Sequence, residues 1–123
     1  MLLILQSWIW IFYFDYLMLV RGFDAVDAAV RGQRSASLHS PISDHAAICH
    51  AVDLACVFYF KPVLCLQRSA ATIVLLRRRG WHAEMVIGAQ LLPFQSHAWV
   101  EIQGNVVNDK PYINQIFQVL DRC

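Results

Sequence analysis

Residues 65–90 read CLQRSAATIVLLRRRGWHAEMVIGAQ, and residues 93–109 read PFQSHAWVEIQGNVVND. The period of the apolar residues changes inside the first stretch. Leu66, Ala70, Ile73 and Leu76 recur at helical spacing and line one face. Arg77, Arg78 and Arg79 fill the last turn, where positive charge complements the helix dipole and could also dock an acidic partner. Gly80 is placed to cap the end. Over residues 83–90 β-formers take over, residues 91–93 read as a turn, and residues 96–103 alternate. Ala98, Val100 and Ile102 point one way; His97, Trp99 and Glu101 point the other. Gly104 and Asn105 signal a hairpin, which makes Val106, Val107 and Asn108 a third strand. Residues 112–120 read as a short helix or an extended cover.

Upstream the pattern is helical. A helix starts near Ser43 or Asp44 as N-cap, carries a stripe of Ile48, Val52, Cys56 and Tyr59, and breaks at Lys61 and Pro62. Residues 33–41, QRSASLHSP, form a polar linker. Before it, Phe23, Val26 and Val30 share a face while Asp27 and Arg31 pair at i,i+4, an amphipathic continuation closed by Gly32. Residues 1–20, MLLILQSWIWIFYFDYLMLV, are apolar nearly all round, with Gln6 and Asp15 on opposite faces. No basic residue precedes this run and no small-residue cleavage site follows, so it is not an ordinary signal peptide. It is long enough to span a bilayer. Asp15 near the centre would oppose insertion by about 2.5–3.5 kcal/mol. A core or partner-facing helix is the main expectation, with membrane contact through residues 1–20 left open.

Helices first and antiparallel strands second make the fold class α+β. Residues 1–41 form an apolar helical region and linker, and residues 42–123 a core, within one domain. A chain of 123 residues has no room for two. With 58% hydrophobic and 15% charged residues, disorder is excluded. A net charge of +1 offers no field for nucleic acid. The four cysteines, Cys49, Cys56, Cys65 and Cys123, sit in too apolar a chain for a secreted disulfide scaffold, so free thiols in a reducing cytosol are expected. His45, Cys49, His50 and Cys56 match no closed zinc spacing, and no metal or cofactor is expected.

Cys65 lies at a helix start, where unpaired N–H groups and the dipole stabilise a thiolate and can hold an oxyanion. A small buried residue is the plain alternative. His97, on a strand, is the candidate base for such a thiol. Glu101 shares its face but lies about 13 Å along the strand, too far to orient the ring. Asp109 can reach it if Gln103, Gly104 and Asn105 make a three-residue loop, which sets Asp109 opposite Trp99. A two-residue loop of Gly104 and Asn105 flips it to the other face.

The order helix Cys, strand His, next-strand Asp resembles transglutaminase-like cysteine enzymes of the wider papain-like group. Five local words are narrower: CLQRS at 65–69, LLRRRG at 75–80, IG at 87–88, HAWVE at 97–101 and ND at 108–109. Together they resemble the leader peptidases of lasso-peptide biosynthesis, over about half the chain. That resemblance implies a transglutaminase-like core with Cys65 as nucleophile, His97 as base and acid, and Asp109 as orienter. It further implies a cytoplasmic bacterial hydrolase that cuts the leader from a ribosomally made precursor peptide. A small winged-helix protein would present the leader, and an asparagine-synthetase-like lasso cyclase would close the macrolactam. A chain this short resembles the stand-alone form. Another transglutaminase-like acyl transfer, or a non-catalytic scaffold, are the rival readings.

Overall fold

Helical spacing through the central stretch produces a helix buried on every side. The computed structural model describes residues 2–33, 44–91 and 94–123. Four helices come first: α1 (Leu2–Val20), α2 (Phe23–Gly32), α3 (His45–Val57) and α4 (Cys65–Arg78). Then follow β1 (Ala83–Leu91), β2 (Phe94–Ile102), β3 (Asn105–Val106), α5 (Ile113–Ile116) and β4 (Gln118–Arg122). The architecture is α+β, with an antiparallel sheet in the order β3-β2-β1-β4.

In α4, Gln67 and all of residues 69–77 are buried, not one face alone. Small residues (Ser69, Ala70, Ala71, Thr72) let neighbours approach from both sides. Ile11 and Phe14 of α1, Val26 and Val30 of α2, and Ile48 and Val52 of α3 join its helical side in one cluster. Met85, Val100 and Ile102 enter the same cluster from the sheet. Residues on both sides of the expected boundary at 41 therefore share a core. The other face of the sheet buries Val86 and Trp99 against Ile113, with Phe117 and Val119 packed beside them.

The polar residues of α1 tie it to α4. Gln6 accepts from Arg79 Nη2 at 2.7 Å, beyond one end of α4. Asp15 pairs with Lys61 Nζ at 3.0 Å, ahead of the other end, and accepts from the Tyr59 hydroxyl at 3.4 Å. The two helices thus run antiparallel. By length and composition α1 could cross a membrane. Its inward face is a core face, while Ile9, Phe12, Tyr16 and Leu19 remain exposed.

Several expectations change. The helical run does not continue through residue 22, because Gly22 adopts φ 84° and separates α1 from α2. Asp44 caps α3, accepting from Ala46 N. Ser43, Leu92, Pro93 and the linker beyond Gln33 lie outside the described residues. The third strand is two residues long, and the tail supplies both a short helix and an edge strand, β4. The three arginines do more than complement the dipole: each makes a contact within the fold. Arg77 is buried and donates to the carbonyls of Val30, Gln33, Ala83 and Cys123. Arg78 lies over the Trp10 ring at 5.0 Å, and Arg79 holds Gln6.

Candidate active site

Cys65 opens α4, and no side chain caps that helix start. The first bond inside the helix runs from Arg68 N to Leu64 O at 3.0 Å. The N–H groups of Cys65, Leu66 and Gln67 therefore point out of the helix without helical partners. Half-buried Cys65 and half-buried His97 line one pocket of about 260 Å³, with Met18, Phe23, Ile87 and Ala98 among its walls.

His97 Nε2 lies 2.5 Å from Asp109 Oδ2. An Nε2–H donated to the carboxylate leaves the lone pair on Nδ1, the nitrogen then free to take a proton. The ring is fixed from the side as well, stacked on Phe117 at 5.3 Å and Trp99 at 6.0 Å between centroids. Gly88, paired with His97 across β1 and β2, is what makes room for this stack. A Cβ at Gly88 would come within 2.7 Å of the Trp99 ring and 2.9 Å of Phe117 Cβ.

Asp109 reaches His97 by a route the strand register did not foretell. The hairpin loop is Gln103 and Gly104, both at positive φ (52° and 81°), so Ile102 pairs with Asn105 and Glu101 with Val106. This is the I′ geometry of two-residue hairpins. It is neither of the two loops expected, and Asp109 is not set opposite Trp99 by a ladder. The ladder ends instead with one more bond, Val107 N to Val100 O at 3.0 Å, and Asn108 takes over: its Oδ1 accepts from Val100 N at 2.7 Å. Asn108 Nδ2 donates to Ser69 Oγ at 3.1 Å, and that hydroxyl donates to Ala98 O at 3.0 Å. Arg68 donates to Asn108 O at 3.3 Å and lies 3.6 Å from Asp109 Oδ2. The first turn of α4 thus clasps the residue pair carrying the carboxylate to the strand carrying the imidazole.

Burial works to raise the Asp109 pKa. The hydrogen bond from His97, the Lys110 N–H, and the charges of His97 and Arg68 outweigh it and hold the carboxyl below its ordinary value. Glu101 is engaged elsewhere, accepting from Trp99 Nε1 at 2.8 Å and from Arg122 at 2.9 Å. Burial pushes the Cys49 thiol up to about 12 and those of Cys56 and Cys123 up to about 11. All four thiols are free. Among the described residues no group of three or more His, Cys, Asp or Glu is placed to hold a metal.

Arg68, Ser69, Asn108, Gly88 and Phe117 were missed as parts of the site. For the first four the signal was present, since they lie inside the words CLQRS, IG and ND. Phe117 carried none, because its role depends on where the tail returns.

The geometry can be set beside known proteins. The chain is 29% identical over 113 residues to the microcin J25-processing protein McjB of Escherichia coli, covering 89% of this chain and 53% of McjB. The chain therefore spans about half the length of that relative. The similarity agrees with the resemblance drawn from the five words. No solved structure matches significantly. The model of the Transglutaminase-like superfamily matches residues 10–122, from within α1 to the end of β4. The chain belongs to the transglutaminase-like superfamily.

Proposed function

We propose that the chain is a cysteine peptidase that removes the leader from a ribosomally made lasso-peptide precursor. The observation that carries this is one pocket lined by the thiol at an uncapped helix start and by an imidazole held by a carboxylate. The similarity to a protein named for processing microcin J25 supplies the substrate class.

The chemistry is acyl transfer. His97 Nδ1 takes the Cys65 proton, and the sulfur attacks the carbonyl at the leader–core junction. The unpaired N–H groups at the start of α4 hold the resulting oxyanion. Asp109 stays ionised and stabilises the imidazolium. His97 gives its proton to the departing core amine as the C–N bond breaks, leaving the leader as a thioester on Cys65. His97 then takes a proton from water, the hydroxide displaces sulfur, and thiol and leader acid are released. Cleavage in the cytoplasm, ahead of closure by a separate cyclase, completes the reading. Its partners are the precursor, a winged-helix recognition protein and that cyclase. The exposed apolar side of α1 is the surface assigned to these proteins. A chain that is monodisperse and fully active on precursor by itself overturns that assignment.

Incubation with a lasso-peptide precursor tests the reaction by product mass. Two fragments that together weigh the precursor plus one water are expected. Loss of ammonia with a new crosslink would instead establish amine transfer on the same side chains. Leader removal that persists in Cys65→Ala would exclude Cys65 as nucleophile, and no cleavage by the wild-type chain would leave a scaffold.

A further inference from the structure

Gln67 and Ser96 are the polar side chains of the pocket that this chemistry leaves unused, and of the two only Gln67 is buried. It follows Cys65 in the first turn of α4 and is 4% exposed. Its Oε1 is buried and accepts no hydrogen bond among the described residues. Buried acceptors in folded proteins are nearly always paired. Of the other polar side chains nearby on α4, Ser69 donates to Ala98 O and Thr72 to Arg68 O, while the buried Arg68 Nε is, like Gln67 Oε1, without a partner among the described residues. Packing alone does not call for an amide here, because Met would fill a similar volume without stripping water from a polar group. Around Gln67 the pocket walls are apolar, with Met18, Phe23, Leu66 and Ile87. An orphan acceptor on a side chain that lines the same pocket as the thiol is half of a hydrogen bond whose donor arrives with whatever binds.

We propose that Gln67 reads the substrate. Its Oε1 accepts from an N–H or O–H group on a residue next to the bond that Cys65 attacks, while the apolar part of that residue fills the pocket. This rests on the peptidase reading and adds to it a residue that sets specificity. A site built around such a bond rejects a substrate lacking the donor, because the acceptor is then left buried and unpaired.

The test uses synthetic precursor peptides spanning the leader–core junction. Each residue flanking the cleaved bond is changed in turn to an isostere without its donor, methyl for hydroxyl or N-methyl for N–H. For the wild-type chain, one such change lowers kcat/KM by about tenfold or more. Gln67→Met loses a similar factor on the unaltered peptide and no longer distinguishes the two. Undiminished discrimination in Gln67→Met, or no discriminating position in the wild type, overturns the proposal. A second arm measures binding in a Cys65→Ala background, where Gln67→Met raises the Kd of the unaltered peptide about tenfold; an unchanged Kd, or no binding before the change, overturns it. Binding that depends on Gln67 without any cleavage by the wild type removes the peptidase reading and keeps Gln67. Cleavage that ignores Gln67 does the reverse.

Discussion

The two ends of α4 are built on opposite principles. At its C-terminal end each arginine has a contact within the fold: Arg77 on four carbonyls, Arg78 over the Trp10 ring, Arg79 on Gln6. The backbone closes that end too, with Gly80 N on Arg77 O and Trp81 N on Leu76 O. At its N-terminal end the helix start has no side-chain cap and the Gln67 side-chain oxygen Oε1 is orphaned. One helix thus carries one end whose polar groups hold the fold together and another whose polar groups are left unpaired. The difference teaches that polar satisfaction is spent where stability is needed and withheld where binding or catalysis is to occur.

Substitutions at each end should separate activity from stability. Cys65→Ala is expected to lower kcat/KM on precursor by about 10⁴-fold or more with an unchanged thermal midpoint, measured by single-turnover cleavage and calorimetry. A lowered midpoint would mean that the N-terminal end carries the fold as well. Asp109→Asn should follow, with a loss on the order of 10²–10⁴-fold, because an amide neither orients the imidazole nor offsets its charge.

Asp109 also predicts a pH dependence. Its folded pKa lies below the ordinary value of about 3.9. Its ionised form therefore adds stability that is complete above that value and is lost as pH falls through the folded pKa. Urea melts at pH 5 and pH 2.5 should show a larger drop for wild type than for Asp109→Asn.

Arg77→Met tests the C-terminal end. It strands buried carbonyls and should destabilise by about 3 kcal/mol or more in urea melts. Cleavage at a temperature where the variant stays folded should remain near wild type; a large activity loss there would erase the division between the ends. Gly88→Ala stands between the two, pressing on Trp99 and Phe117. A destabilisation of about 1–3 kcal/mol is expected, with a fall in kcat exceeding any rise in KM as the ring stack under His97 shifts. Arg79→Ala is the smallest, about 1 kcal/mol or less, for one hydrogen bond to Gln6.

Much of this molecule was legible in the chain alone. The apolar period of 3.6 through residues 65–78 and its switch to alternation after Gly80 are local consequences of side-chain chemistry and backbone sterics, whereas α3 ends at Val57, ahead of the break expected at Lys61 and Pro62, and leaves Tyr59 outside the helix. A thiol at a helix start is a local consequence too, because that start is set by nearby residues. Alternation likewise placed His97 with Trp99, and Ala98 with the core. What periodicity could not supply was the meeting of segments. Gln103 accepting a positive φ moved the hairpin by one residue, which would have turned Asp109 away had the ladder continued. Tertiary contacts ended that ladder: Asn108 bonded to Val100 and Ser69, and Arg68 drew the loop toward α4. The burial of α4 on all sides, the internal use of the three arginines, the return of β4 alongside β1 and the arrival of Phe117 beneath His97 are also long-range outcomes. A single chain records the preferences of neighbours a few residues apart. Which distant segments touch is decided by the packing of the whole, where the burial of a common core and the pairing of buried polar groups select one arrangement.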